Sequence, residues 1–167
     1  MNLDLTINTD VARQILTGFI RSEVGRVGYS RAVIGLSGGI DSALSLALTV
    51  EALGPENVLA VRMPYKASSA DSLEHAQLLV DQFQVKCETI EITDMVEPMF
   101  TGPAEVSKLR KGNIMARERM IVLYDQSEAF KGLVIGIQPF HILENDYSVH
   151  FRFDTPLEPQ GLQNILG

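Results

Sequence analysis

Apolar residues along this chain follow two alternating rhythms. Residues 32–36 (AVIGL), 58–62 (VLAVR) and 133–137 (LVIGI) are short, nearly unbroken apolar runs, as expected of strands covered on both faces, and 87–92 (CETIEI) alternates as a further strand. Between them apolar residues recur at three- and four-residue spacing, the period of helices. Asn8, Thr9 and Asp10 offer capping oxygens to a first helix whose inward face is expected to be Val11, Ile15, Phe19 and Val24, with Gly28 ending it. Residues 41–53 read as a second helix closed by Gly54 and Pro55. Ser68 and Asp71 suggest a capping box for a third, carrying Leu73, Ala76, Leu79, Val80 and Phe83 on one side. Residues 93–111, broken by Pro98, Gly102 and Pro103, read as an irregular excursion before a long helix over 113–130. Strand and helix alternate at lengths suited to right-handed crossovers, so the expected class is α/β, a doubly wound parallel sheet with helices on both faces.

The rhythm changes after residue 137. YSVHFRFD alternates with a period of two, suggesting a half-buried strand, and TPLEPQGLQNILG reads as a loose, Pro-punctuated tail. We therefore expect one domain over residues 1–137 and a divergent tail, not a second domain, over 138–167.

With 167 residues, 46% hydrophobic and 21% charged, the composition is that of an ordinary globular chain. A net charge of −7 disfavours broad nucleic-acid binding. The longest apolar stretches fall far short of the ~20 residues of a membrane span, and MNLDLTINTD lacks a signal pattern, so a cytoplasmic protein is expected. The single Cys87 reads as a small core residue, and His75, His141 and His150 have no zinc-ligand spacing.

The chemistry concentrates in GLSGGIDS: Gly35, Leu36, Ser37, Gly38, Gly39, Ile40, Asp41 and Ser42. The segment leaves a buried strand and enters a helix, where doubly wound sheets bind ligands. Gly38 and Gly39 are expected to permit positive φ and let backbone N–H groups converge on an anion beside the helix's positive end. Ser37 and Ser42 add hydroxyls. No Lys follows the glycines, so this is not the loop of ordinary P-loop NTPases. Asp41 stands where a cation would be expected, which makes it a candidate Mg²⁺ ligand between protein and phosphate. Further along, Lys111, Arg117 and Arg119 read as cations near the start of a helix, suited either to an anionic ligand or to pairing with Glu118 and Asp125.

GLSGGIDS resembles the SGGxDS loop of the ATP pyrophosphatases, which cleave ATP between the α and β phosphates and adenylate a substrate. Two more stretches, VRMPY (61–65) and KGNIMARERM (111–120), are similar to signatures of the NAD synthetases. That resemblance implies an adenine nucleotide alpha hydrolase-like fold and an ammonia-dependent ligase that amidates deamido-NAD using ATP and Mg²⁺. It also implies a homodimer with a twofold interface near the helix of KGNIMARERM. By the same resemblance residues 35–42 and Arg62 hold ATP, Asp41 holds the metal, and Asn113 and Arg117 contact deamido-NAD. No catalytic side chain is assigned.

The resemblance covers roughly residues 9–136. Beyond it the family carries a Gly-Thr that binds ATP and a glutamate that is a second Mg²⁺ ligand. Here Ile137, Gln138 and Pro139 follow Gly136, Ile142 stands at the glutamate's place, and Glu144 lies two residues too far. The expectation is thus a shortened NAD synthetase with an altered tail, for which a reading-frame change near residue 137 would account. Two alternatives are a noncatalytic nucleotide-binding or dimerisation module, and an ATP pyrophosphatase with a different acceptor, which VRMPY and KGNIMARERM argue against.

Overall fold

A computed structural model describes residues 8–101 and 106–136. The expectations for the tail, including Ile137, Gln138, Pro139, Ile142, Glu144, His141, His150 and the strand in YSVHFRFD, lie outside the described residues, as do Gly102 and Pro103. The described elements run α1 (Thr9–Arg26), β1 (Ala32–Gly35), α2 (Ile40–Leu53), β2 (Val58–Arg62), α3 (Ala70–Phe83), β3 (Lys86–Thr89), α4 (Thr93–Val96), α5 (Lys108–Phe130) and β4 (Leu133–Ile135). One-turn 3₁₀ segments at Pro55–Asn57 and Glu97–Phe100 complete the set.

The four strands form one parallel sheet in the order β3-β2-β1-β4. From β1 the chain steps through β2 to β3, then returns across the sheet through α4 and α5 to place β4 on the other side of β1. The strand order therefore reverses beside β1, and a crevice opens outside its carboxyl end. Side chains alternate between two cores. Ala32, Ile34, Val58, Ala60, Leu133 and Ile135 pack with Ile20, Val24, Leu46 and Val80 on the α1, α2 and α3 side. Val33, Leu59, Val61 and Met63 pack with Val122, Leu123, Ile92 and Val96 on the α4 and α5 side. Helices on both faces explain why the strands read as unbroken apolar runs.

Strand boundaries follow the sequence closely. Leu36 N–H still donates to Val61 O at 2.9 Å, and Ile90 and Ile92 donate to Arg62 O and Pro64 O at 2.9 Å, so pairing of β1 and β3 continues past their formal ends. Polar residues within α2 are satisfied locally: buried Ser45 and Thr49 donate their hydroxyls to Asp41 O and Ser45 O at 2.8 Å.

Four local expectations are corrected. In α1 the buried positions are Thr17, Ile20 and Val24, whereas Val11, Ile15 and Phe19 are 49%, 65% and 45% exposed. The helix carries two apolar ridges, and periodicity does not say which one meets α2. α3 is capped by Ser69, whose hydroxyl accepts from Ser72 N at 3.2 Å. Ser68 instead accepts from Tyr65 N at 3.0 Å, closing the preceding loop, so the Ser68–Asp71 capping box is not formed. α5 begins at Lys108, where Ser107 caps Arg110 N, so Arg117 and Arg119 lie well inside the helix and not near its start. Neither pairs with Glu118 or Asp125 among the described residues. The fourth concerns the glycine loop and is treated with the site.

Candidate functional site

The glycine-rich loop is built at the carboxyl end of β1. Gly38 adopts φ +82°, and a β-carbon there would lie 2.2 Å from the backbone oxygen of Ser72 in the first turn of α3. Glycine is thus required twice over, by conformation and by the close approach of a second helix. Gly39 differs: it is the N-cap of α2 with φ −84°, and a β-carbon would meet only the Ser37 hydroxyl at 3.4 Å. The expectation of positive φ at both glycines is corrected to one.

Hydrogen bonds fix this loop from within. Gly39 N–H donates to Ser37 Oγ at 3.2 Å, Ser37 N–H donates to Ser42 Oγ at 3.3 Å, and Ser42 Oγ donates to Gly39 O at 2.9 Å. The two hydroxyls lie 3.1 Å apart. No side chain caps α2, so the N–H groups of its first turn are left for another acceptor. An anion is the natural one, because the helix end is positive. Asp41 sits in that first turn, exposed and without an ion pair among the described residues.

Beside the loop lies a cavity of about 430 Å³. Gly35, Leu36 and Ser37 form one wall, Arg62, Met63 and Pro64 another, with Ser68, Ser69, Ser72 and Leu73 from the α3 approach and Arg119 and Leu123 from α5. The sheet-side wall is tight: a β-carbon on Gly35 would lie 3.1 Å from Met63 Cε and 3.2 Å from Leu123 Cδ1. Arg62 is held by donating from Nε to Thr89 Oγ1 at 3.1 Å and from Nη1 to Gln77 Oε1 at 2.8 Å. Arg119 donates from Nε to Met63 O at 3.1 Å, and burial pulls its pKa down. Sequence reasoning grouped Arg119 with Arg117 and did not assign it to the site. The missed signal was its spacing: one turn before buried Leu123, it belongs to the sheet-facing side of α5.

Asn113 and Arg117 are elsewhere. Both are exposed, outside the cavity lining, and Arg117 Nη1 donates to Asn113 O at 3.0 Å across one helical turn. The structure therefore brings Arg62 together with Gly35, Leu36 and Ser37, while Gly38, Gly39, Ile40, Asp41 and Ser42 continue the same loop beyond that wall. It leaves the Asn113 and Arg117 pair on an open helix face.

The loop between β2 and α3, which forms part of the cavity wall, is pinned from the other side. Lys66 N–H donates to Thr93 Oγ1 at 2.9 Å, Tyr65 O–H donates to Glu97 Oε1 at 2.5 Å, and Lys66 Nζ lies 2.7 Å from the same carboxylate. The hydrogen bonds from Lys66 and Tyr65 hold the Glu97 carboxyl below its ordinary range, and Glu97 in turn pushes Tyr65 and Lys66 up. Cys87, half-buried against the core, has its thiol pushed up by burial, which suits a packing role.

Metal ligation can be judged from the donors present. Among the described residues no group of three or more His, Cys, Asp or Glu could hold a metal. A single unpaired carboxylate next to a helix N-terminus still fits Mg²⁺, which commonly takes one or two protein carboxylates, waters and substrate phosphates. It does not form an all-protein cage.

A doubly wound parallel sheet with a glycine-rich loop and uncapped helix at its reversal point is the architecture of α/β proteins that bind nucleotides there. The family model described as NAD synthase matches residues 12–145, most of the chain, and the chain belongs to that family. The NH3-dependent NAD+ synthetase of Chlorobium phaeovibrioides is 53% identical over 133 residues, covering 80% of this chain and 48% of that protein. That of Fusobacterium nucleatum is 46% identical over 147 residues, covering 88% and 57%. Among solved structures, the NH3-dependent NAD synthetase of Campylobacter jejuni, in complex with nitrate, superposes with a TM-score of 0.73 at 34% identity, covering 78% of this chain and 57% of that one. The chain spans about half the length of the curated relatives it matches.

Proposed function

We propose that this chain carries the ATP-binding portion of an ammonia-dependent NAD synthetase. In the proposed reaction a carboxylate oxygen of deamido-NAD attacks the α-phosphorus of ATP and pyrophosphate leaves. Ammonia then attacks the adenylated carbonyl carbon, AMP leaves with the bonding pair, and loss of a proton gives the amide of NAD. The observation that carries this reading is the loop of residues 35–42, preformed at the carboxyl end of β1 beside a cavity containing Arg62, in a chain of this family.

The residues divide the work by position. The uncapped first turn of α2 and the backbone from Gly35 to Ser42 would bind phosphate, and Arg62 would hold the nucleotide within the cavity. Asp41 would hold Mg²⁺, which when bound supplies charge neutralisation on the triphosphate. Asn113 and Arg117 would meet deamido-NAD on the open face of α5. That face also carries exposed Leu109, Ile121 and Tyr124, which suits contact with a second copy in a homodimer. Among the described residues no helix is long and apolar enough to cross a membrane; a cytoplasmic site of action belongs to the same proposal.

A second reading is a nucleotide-binding or dimerisation module without turnover, for which the glycine-rich loop and the exposed face of α5 would suffice. Incubation with ATP, Mg²⁺, deamido-NAD and ammonia, with NAD and AMP measured by chromatography, separates them. NAD and AMP in equal amounts support the synthetase; ATP binding without NAD supports the module. Absence of ATP binding sinks both.

A further inference from the structure

Arg119 is a cation placed where a neutral donor would suffice for structure alone. Its Nε–H ties α5 to the carbonyl of Met63 just past β2, at 3.1 Å. That tie needs one N–H, yet the residue brings a whole guanidinium into a half-buried position, where removing charge from water is costly unless a counter-charge repays it. Among the described residues Arg119 has no ion pair and no other hydrogen bond.

The surroundings are of the same kind. Arg62, across the same cavity, donates to the neutral oxygens of Thr89 and Gln77 and has no ion pair among the described residues. Among the described residues the remaining polar side chains of the lining are the serines Ser37, Ser68, Ser69 and Ser72, and none of the described lining residues is a carboxylate. In a chain of net charge −7, the described lining of this cavity thus holds two arginines and no acid. A counter-charge for the two arginines, not found among the described lining residues, is one that an anionic ligand would bring.

We propose that Arg119 is a phosphate-contacting residue of the nucleotide site, its Nε bond to Met63 O orienting the guanidinium so that its remaining N–H groups meet an anionic oxygen of a bound adenine nucleotide. This rests on the reading of the cavity as an ATP site. Arg119 reaches the cavity from the helix that carries Asn113 and Arg117 on its open side. One helix would therefore contact the nucleotide on its sheet-facing side and the second substrate on the other.

Titration calorimetry of the whole chain with ATP, AMP and adenosine, for wild type, Arg119→Gln and Arg119→Lys, tests this. Gln keeps a donor and removes the charge. It should weaken ATP and AMP about 10- to 100-fold, the worth of one charge-assisted hydrogen bond, and leave adenosine within about twofold. Lys keeps the charge without the fork and should recover part of the loss. Thermal melting identifies any variant that fails to fold; should Gln do so, the ratio of ATP to adenosine affinity in the Lys variant decides. Equal weakening of ATP and adenosine, or unchanged ATP affinity, overturns the assignment of Arg119 while leaving the ATP site standing. Wild-type protein that binds neither ATP nor AMP overturns both.

Discussion

The loop of residues 35–42 and the outer face of α5 are both read as ligand surfaces, but they are built in opposite ways. The loop is closed on itself by the Ser37 and Ser42 hydroxyls and backed by the first turn of α3, which approaches so closely that Gly38 admits no β-carbon. On α5, Arg117 donates to the backbone oxygen of Asn113 one turn away, and both residues are exposed. A phosphate loop can be finished by local geometry, because backbone N–H groups and a helix end provide the charge. A substrate surface made of side chains on a single helix needs further elements opposite it before it can orient a dinucleotide. The loop of residues 35–42 is closed by its own hydrogen bonds, whereas the Asn113 and Arg117 pair is exposed on α5, and the chain spans about half the length of its curated relatives.

The largest effect should come from breaking the loop's backing. Gly38→Ala places a methyl against Ser72 O and forces a positive φ on a residue that resists it, so we expect a loss of about 3 kcal/mol and of ATP binding, read by denaturant unfolding and calorimetry. Gly39→Ala, at φ −84° with only the Ser37 hydroxyl nearby, should cost under about 1 kcal/mol. Equal costs at the two glycines would refute the account of the turn.

Asp41→Asn should come next. It leaves the fold intact and lowers ATP affinity about 10-fold in Mg²⁺ but not in EDTA. Unchanged affinity in Mg²⁺ removes Asp41 as a metal ligand.

Arg117→Ala sharpens the other side of the comparison. On an open helix face its effect on stability should stay within about 0.5 kcal/mol, with ATP affinity unchanged and deamido-NAD affinity reduced about 10-fold. A loss of ATP binding would place Arg117 in the cavity's chemistry, against its position.

The smallest effect belongs to the Tyr65, Lys66 and Glu97 tie that holds the β2–α3 loop. Glu97 is depressed in the folded protein, so its contribution is present above the ordinary carboxylate range and fades as pH falls through its folded value. Tyr65 and Lys66 are raised above 10.0 and 10.5, so their share is present below those values and fades only as pH rises through their folded ones. Glu97→Gln should lower Tm by about 1–2 °C at neutral pH and flatten the acid side of the Tm profile. An unchanged profile would show that the loop does not depend on the tie.

Much of this was legible in the chain itself. The unbroken apolar runs at 32–36 and 58–62 and the glycine and proline stops fixed the parallel, two-faced sheet, because burial on both faces leaves a compositional mark that needs no partner to read. The loop at 35–42 was legible for the same reason: its chemistry is local, and glycines, serines and an acid at a strand-to-helix junction carry their own meaning. Family membership was legible from VRMPY and KGNIMARERM, and the family match over residues 12–145 agrees.

Other features depended on which surfaces the fold brought together. Two apolar ridges on α1 are equivalent by periodicity, and only packing against α2 selected Thr17, Ile20 and Val24. Gly38 and Gly39 look alike in sequence, yet only the approach of Ser72 separates an obligatory glycine from a helix cap. Arg117 and Arg119 are two residues apart and chemically identical. Helical rotation sends one to solvent and the other to Met63 O just past β2 and to the cavity, because a 100° turn per residue divides neighbours between faces that only the tertiary structure defines.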